Sequence, residues 1–268
     1  MQNFTAITEL PHSLLHEEQW TRLLQRYHLG ARLAQGKDVL EVACGAGIGL
    51  GLLRQQARSV VGCDYTGQVL AIAKRHYGRR VPLVCSDAHH LPFADQRFDL
   101  ILAFEAIYYL HQLDWFLAEA RRLLRPAGAL LLCTSNPTWP HFVAGQMSVH
   151  YPDLPELAAR LTAAGFTQQQ FYGALPLSDT ARPHKTILAI LRKVALRYKA
   201  FTSHSALTRR LKQLTYGRLY AMPAELSPAH LPKTGIVDDL TPLPATTPDR
   251  RHRVLFGVAL SSRQFPIG

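Results

Sequence analysis

The residues of this 268-residue chain that could do chemistry fall in short clusters, each behind an apolar run. The first is Glu41-Val42-Ala43-Cys44-Gly45-Ala46-Gly47, an acid within an apolar run followed by closely spaced glycines. Glycines remove side chains where backbone passes close to a ligand and let a helix begin, so the segment reads as a nucleotide-binding turn. The same residues also suit an ordinary strand-to-helix turn that uses glycine only for backbone freedom. Asp64 closes a second apolar run, and an acid there can accept hydrogen bonds from both hydroxyls of a ribose. The short acid Asp87 can accept one from an adenine amino group. Local roles compete with these: a helix N-cap for Asp64, ahead of Thr66 and Gly67, and a turn acid for Asp87. A nicotinamide dinucleotide fits less well, because the third glycine of Gly-x-Gly-x-x-Gly is replaced by Leu50.

Proton transfer near neutral pH points to histidine. Candidates are His111, behind Tyr108-Tyr109-Leu110, then His150 beside Tyr151, and His141. With 13 histidines in the chain, most must be surface or capping residues. Tyr108 and Tyr109 read as pocket wall. The four cysteines, Cys44, Cys63, Cys85 and Cys133, lie far apart, and His89 near Cys85 has no further ligands in a metal-site pattern. They read as small half-buried residues in a reducing compartment, and no metal is expected.

The elements that must position these clusters follow from periodicity. Strands are expected at 38–43, 59–64, 81–85, 98–103 and 129–134, and helices at 49–56, 67–77 and 113–124. A further helix at 155–164 stops at Gly165, a sixth strand fits 166–172, and a last strand fits 254–260. Alternating strands and helices argue for a parallel sheet with helices on both faces. Ligands of such sheets bind at the carboxyl ends of the strands, which is where Gly45, Asp64, Asp87 and Glu105 fall.

With these residues in place, the chain resembles the class I S-adenosylmethionine-dependent methyltransferases. Leu40-Glu41-Val42-Ala43-Cys44-Gly45-Ala46-Gly47 looks like the first motif of one branch. Ser86-Asp87-Ala88-His89-His90-Leu91-Pro92-Phe93-Ala94-Asp95 and Phe98-Asp99-Leu100-Ile101 look like its acid-alanine, Leu-Pro-Phe and Phe-Asp segments. Leu123-Leu124-Arg125-Pro126-Ala127-Gly128 is similar to the turn before its fifth strand, with Ala127 where the family often has glycine. Together these span about residues 37 to 135 in the family's order. The resemblance implies a Rossmann-like sheet of seven mostly parallel strands in the order 3-2-1-4-5-7-6, the last strand antiparallel. It implies S-adenosyl-L-methionine as cofactor and S-adenosyl-L-homocysteine as product. Gly45 and Gly47 would approach the methionine part, with Glu41 organising the turn and the ammonium end and Ala43 counted among the cofactor-binding residues. Asp64 would hold the ribose, with Tyr65 beside it among the cofactor-binding residues, Asp87 and the backbone of Ala88 would hold the adenine, and Phe104 and Glu105 would lie beside the donor.

Charge location bears on the acceptor. The formal net charge is +11, yet residues 1–179 hold 15 basic and 15 acidic residues, while residues 180–268 hold 15 and 4. Between Thr180 and Arg218 there is no acid, and apolar residues recur at helical spacing. The stretch reads as a basic amphipathic helix, either a solvated packed face or a substrate platform carrying Arg192 and Arg197. The expected organisation is an N-terminal helical cap over 1–36, a methyltransferase core over 37–173, a basic helical insertion over 174–252, and a final strand and tail over 253–268. The expected reaction is methyl transfer to a hydroxyl of a small sugar or secondary metabolite, anionic or glycosylated, with isoprenoid quinone precursors and amines as rivals. A cofactor-binding module whose basic segment recruits a partner is the non-enzymatic reading. Nucleic acid is disfavoured: Phe104-Glu105-Ala106-Ile107 is unlike the motif of base amino methylases, no Pro-Cys pair is present, and aromatics in the basic stretch are few. With neither a bilayer-length apolar run nor a signal-peptide pattern, cytoplasm is expected, with peripheral contact at the inner membrane surface through the basic segment.

Overall fold

The computed structural model describes residues 4–5, 7–177, 218–231 and 239–261. A short strand, β1 (Leu14–His16), leads into α1 (Glu17–Leu33). The helix begins at a reciprocal cap, in which Gln19 N–H donates to His16 Nδ1 and His16 N–H donates to Gln19 Oε1. Then come β2 (Asp38–Val42), α2 (Leu50–Gln56), β3 (Ser59–Asp64), α3 (Gly67–Tyr77), β4 (Leu83–Cys85) and β5 (Phe98–Phe104). The second half continues with α4 (Leu113–Leu123), β6 (Leu124–Ser135), α5 (Leu154–Ala163), β7 (Gln168–Pro176), β8 (Leu219–Ala221), β9 (Thr241–Leu243) and β10 (His252–Leu260).

The main sheet runs β4-β3-β2-β5-β6-β10-β7-β9. Strands β4, β3, β2, β5 and β6 pair in parallel, and β10 is antiparallel to both β6 and β7. The first seven positions reproduce the expected order. The count is corrected from seven to eight by β9, which pairs antiparallel with β7 through Phe171–Leu243 and Tyr172–Pro242. The prolines around it, Pro242, Pro244 and Pro248, read in the sequence as an irregular return to the last strand. At a sheet edge, however, a proline costs no ladder bond when its N side faces outward.

Residues two apart in the central strands point to the same face. Val39, Leu100, Leu102, Leu131 and Cys133 pack with α1, α2 and α3, whereas Leu40, Ile101, Ala103, Leu130 and Leu132 pack with α4 and α5. That alternation of two apolar faces is why the strands read as continuous apolar runs, and it buries the sheet on both sides. The turn expected before the fifth strand is instead an irregularity inside β6, where pairing with β5 skips from Leu124 to Ala129, and there Ala127 takes φ +62°, the left-handed conformation that glycine adopts freely. Pro155 in the first turn and Asp153, whose Oδ1 accepts from Glu156 N–H at 2.9 Å, start α5.

The helix expected within the basic insertion, with Arg192 and Arg197, lies outside the described residues. Among the described residues no helix is long and apolar enough to cross a membrane, and no group of three or more His, Cys, Asp or Glu side chains could hold a metal ion.

Candidate active site

The carboxyl ends of β2, β3, β4, β5 and β6 border a cavity of about 370 Å³. Its floor is the turn after β2. Gly45 sits at φ +57° and Gly47 at φ +77°, conformations that carry a side chain only under strain. Gly45 N–H donates to Asp64 Oδ2 at 2.8 Å, and Thr66 N–H donates to Asp64 Oδ1 at 2.7 Å. Asp64 thus ties the glycine turn to the start of α3 while both of its oxygens keep lone pairs for another donor. Burial raises its pKa, and the two backbone donors pull the other way. Gly47 lies below the floor, its carbonyl accepting from the Tyr77 hydroxyl at 2.7 Å.

On the β4 side stand Tyr65, Asp87, Ala88 and His89. Asp87 Oδ1 accepts from His89 N–H at 2.9 Å and lies 2.6 Å from His89 Nδ1, and among the described residues Oδ2 takes no hydrogen bond. His89 Nε2 is buried with no partner among the described residues.

On the β5 and β6 side α1 contributes what the sequence reading missed. Arg22 donates to Glu105 Oε1 at 2.8 Å through Nε and also to Ser135 Oγ. Tyr108 OH donates to Glu105 Oε2 at 2.9 Å. Arg26 donates to Glu9, and burial, which would lower its pKa, is outweighed by the Glu9 carboxylate. Tyr27 OH donates to Glu41 Oε1 at 2.5 Å, while Glu41 Oε2 is buried with no partner among the described residues. Burial pushes the Glu41 pKa up to about 7, helped by the charges of Asp64 and Glu9 and opposed by Tyr27 and Arg26. Ala43 at φ +57° and Glu105 at φ +53° end neighbouring strands in the left-handed region, strain of about 1 kcal/mol each that the surrounding hydrogen bonds hold in place.

The structure therefore brings together Ala43, Gly45, Asp64, Tyr65, Asp87 and Ala88 with Phe104, Glu105, Tyr108, Tyr109 and His111. Glu41 and Gly47 stand one layer behind the wall. His150 is not among the lining residues: its exposed Nε2 lies 2.8 Å from Glu156 Oε2 in the first turn of α5. His141 is also absent from the wall. Arg22, Arg26 and Tyr27, together with Phe4, Thr8 and Glu9 from the N-terminal stretch, line the cavity without having been foreseen. A signal existed, since Arg22 and Arg26 sit four apart beside Leu23, Leu24 and Tyr27 and so share the buried side of a helix.

These residues fit the expected cofactor. The carboxylate of Asp64 at the rim of a glycine turn suits a ribose, Asp87 Oδ2 and His89 Nε2 suit the polar edge of adenine, and unpartnered Glu41 Oε2 suits an ammonium group behind the turn.

Comparison with known proteins agrees. Residues 40–132 match the family described as Methyltransferase domain. Over 124 residues the chain is 35% identical to a "Probable S-adenosylmethionine-dependent methyltransferase" of Mycolicibacterium smegmatis, covering 46% of this chain and 48% of that one. It is 37% identical over 124 residues to the fatty-acid O-methyltransferase of the same organism, covering 43% and 44%. The chain thus spans about half the length of the curated relatives it matches. The YcgJ protein of Bacillus subtilis shares its fold, with a TM-score of 0.52 over 88% of this chain and 97% of that one at 16% identity.

Proposed function

We propose, from the match of residues 40–132 to the family described as Methyltransferase domain and from the likeness to S-adenosylmethionine-dependent methyltransferases, that this protein moves a methyl group from S-adenosylmethionine to a hydroxyl oxygen of a small molecule. The observation that carries the reading is that the Asp64-braced glycine turn and a histidine, His111, line one and the same cavity. Bound S-adenosylmethionine supplies a methyl group already activated on a sulfonium, so the chain needs no nucleophile of its own. Its work is alignment and exclusion of water. Asp64 and Asp87 orient the adenosine, and Phe4, Tyr108, Tyr109 and Leu110 wall off solvent. His111 accepts the proton that a hydroxyl loses as its oxygen takes the methyl group.

The walls also bear on the acceptor. Tyr108 stacks on Tyr151 with centroids 4.3 Å apart and accepts Val149 N–H at its carbonyl, so the loop before α5 extends the same surface. That loop exposes Val143, Met147 and Val149. An exposed apolar loop held against the lining residue Tyr108 suits a secondary metabolite with an aliphatic or aromatic body better than a bare sugar, and the likeness to a fatty-acid O-methyltransferase supports the same direction. The anionic or glycosylated acceptor expected from the basic stretch depends on residues outside the described ones.

The test has two parts. Calorimetry should detect S-adenosylhomocysteine binding, and Asp64→Ala should weaken it by about 1–3 kcal/mol through lost hydrogen bonds. Labelled S-adenosylmethionine should then transfer label to a metabolite extract. Unchanged affinity in the variant removes Asp64 from the site, and binding without any labelled product favours a cofactor-binding module.

A further inference from the structure

The N-terminal stretch lies over the cavity. The Phe4 ring meets Tyr65 and Tyr109, with centroids 6.3 and 5.5 Å away. Thr8 sits directly on the glycine turn: a Cβ built on Gly45 would come within 3.0 Å of its methyl carbon. Thr8 Oγ1 donates to the Phe4 carbonyl at 2.8 Å, which closes the stretch on itself. The next residue, Glu9, places its carboxylate on Arg26.

Arg26 is 5% exposed and belongs to the cavity wall, yet its Nε is buried with no partner among the described residues. A guanidinium offers five N–H donors in a planar fork shaped for a carboxylate. Buried here with one carboxylate on it and one donor unfilled, it forms an incomplete carboxylate site. Arg22 differs, since Glu105 and Ser135 both occupy it. Strand order places Arg26 relative to a nucleoside. Asp64 and Asp87 follow β3 and β4, whereas Tyr27, next to Arg26, bonds Glu41 of β2 and meets Phe104 of β5 at 5.3 Å. The guanidinium therefore borders the end of the cavity away from adenine.

We propose that Arg26 binds the α-carboxylate of S-adenosylmethionine and that Glu9 is an intramolecular stand-in for that carboxylate, displaced when the donor enters. The inference rests on the donor reading above. A structural latch, in which the Glu9–Arg26 pair closes over bound donor, has the opposite sign: removing the Glu9 charge would then weaken donor binding, whereas removing a competitor strengthens it.

Calorimetry with two ligands decides between them. S-adenosylhomocysteine carries the carboxylate, and 5′-methylthioadenosine keeps the adenosine and thioether but lacks the whole amino-acid end. Glu9→Gln should bind S-adenosylhomocysteine about 3- to 10-fold more tightly, as the fraction of protein with a free Arg26 rises, and should bind methylthioadenosine as the unaltered protein does. Arg26→Gln should weaken S-adenosylhomocysteine at least about 10-fold and leave methylthioadenosine unchanged, the loss expected for a charge-assisted pair. Unchanged or weaker S-adenosylhomocysteine binding by Glu9→Gln overturns the proposal, as does an equal shift for both ligands. If Arg26→Gln fails to fold, judged by its thermal transition, the Glu9 variant decides alone, because that side chain is partly exposed. An unaltered protein that binds neither ligand removes the donor reading instead.

Discussion

Replacing Glu41 with Gln tests whether a carboxylate behind the glycine turn is held near its own titration point. Glu41 is 2% exposed, bonded at one oxygen to Tyr27, and its pKa is pushed from 4.5 up to about 7. A raised carboxyl pKa means that the folded state favours the proton more than the unfolded state does. The stability tied to that proton is fully present below 4.5 and is lost as the pH rises to about 7. The shift corresponds to about 3 kcal/mol at about 1.4 kcal/mol per pH unit, most of which is missing at pH 8 and little of which is missing at pH 5. Glutamine has the same shape, keeps an oxygen for Tyr27 and never ionises. Any pH-independent cost of its buried amide cancels when two pH values are compared. The stability of Glu41→Gln relative to the unaltered protein should therefore improve by about 2–3 kcal/mol between pH 5 and pH 8, read from urea unfolding midpoints at constant slope. A difference that stays the same at both pH values would refute the reasoning, because Glu41 would then not carry the raised pKa.

Two further outcomes are expected. With an accepted hydroxyl substrate, His111→Ala should lower kcat by about 10²- to 10⁴-fold with donor affinity intact, while His150→Ala, outside the cavity, should leave kcat alone; steady-state kinetics on both variants gives the answer, and equal effects would remove the base assignment. At the opposite, amino end of the central strands Asp38 accepts from Arg58, Ser59 and Arg125, and these bonds, Arg58 foremost, hold its carboxyl well below the ordinary range. A depressed pKa contributes stability that is fully present above the unfolded value of 3.8 and is lost progressively as the pH falls from there through the much lower folded value. Asp38→Asn should thus cost about 1–3 kcal/mol at pH 7, a cost that starts to shrink only below pH 3.8 and keeps most of its size at about pH 3, measured by urea unfolding, and a cost that grows in acid would count against the network.

Much of the core was legible because its signals are local. Val39 and Leu40, or Leu130 and Leu131, point to opposite faces of the sheet by the two-residue period of a strand, so a buried parallel strand announces itself as an apolar run. Its end is marked where Gly45, Asp64 or Asp87 breaks that run. The edge strand over Thr241–Leu243 carried no such signal, because a three-residue strand with a central proline depends on the neighbouring β7 for its existence. His150 looked equivalent to His111 by the same logic, since each stands by tyrosine after a strand. Only the path of the loop before α5, which brings His150 to Glu156, separates them.

The amino-acid sequence by itself determined the alternation of strands and helices, the glycine turn and the acids at the ends of β3 and β4, since each depends on residues near one another in the chain. The tertiary structure alone decided who faces these acids across the cavity. Arg22 meets Glu105 across 83 positions, Tyr27 meets Glu41 across 14, and Arg26 meets Glu9 across 17. Such pairs follow from how α1 packs on the face formed by α2, α3 and the sheet, and that packing is set by summed apolar burial, which no single spacing in the chain encodes.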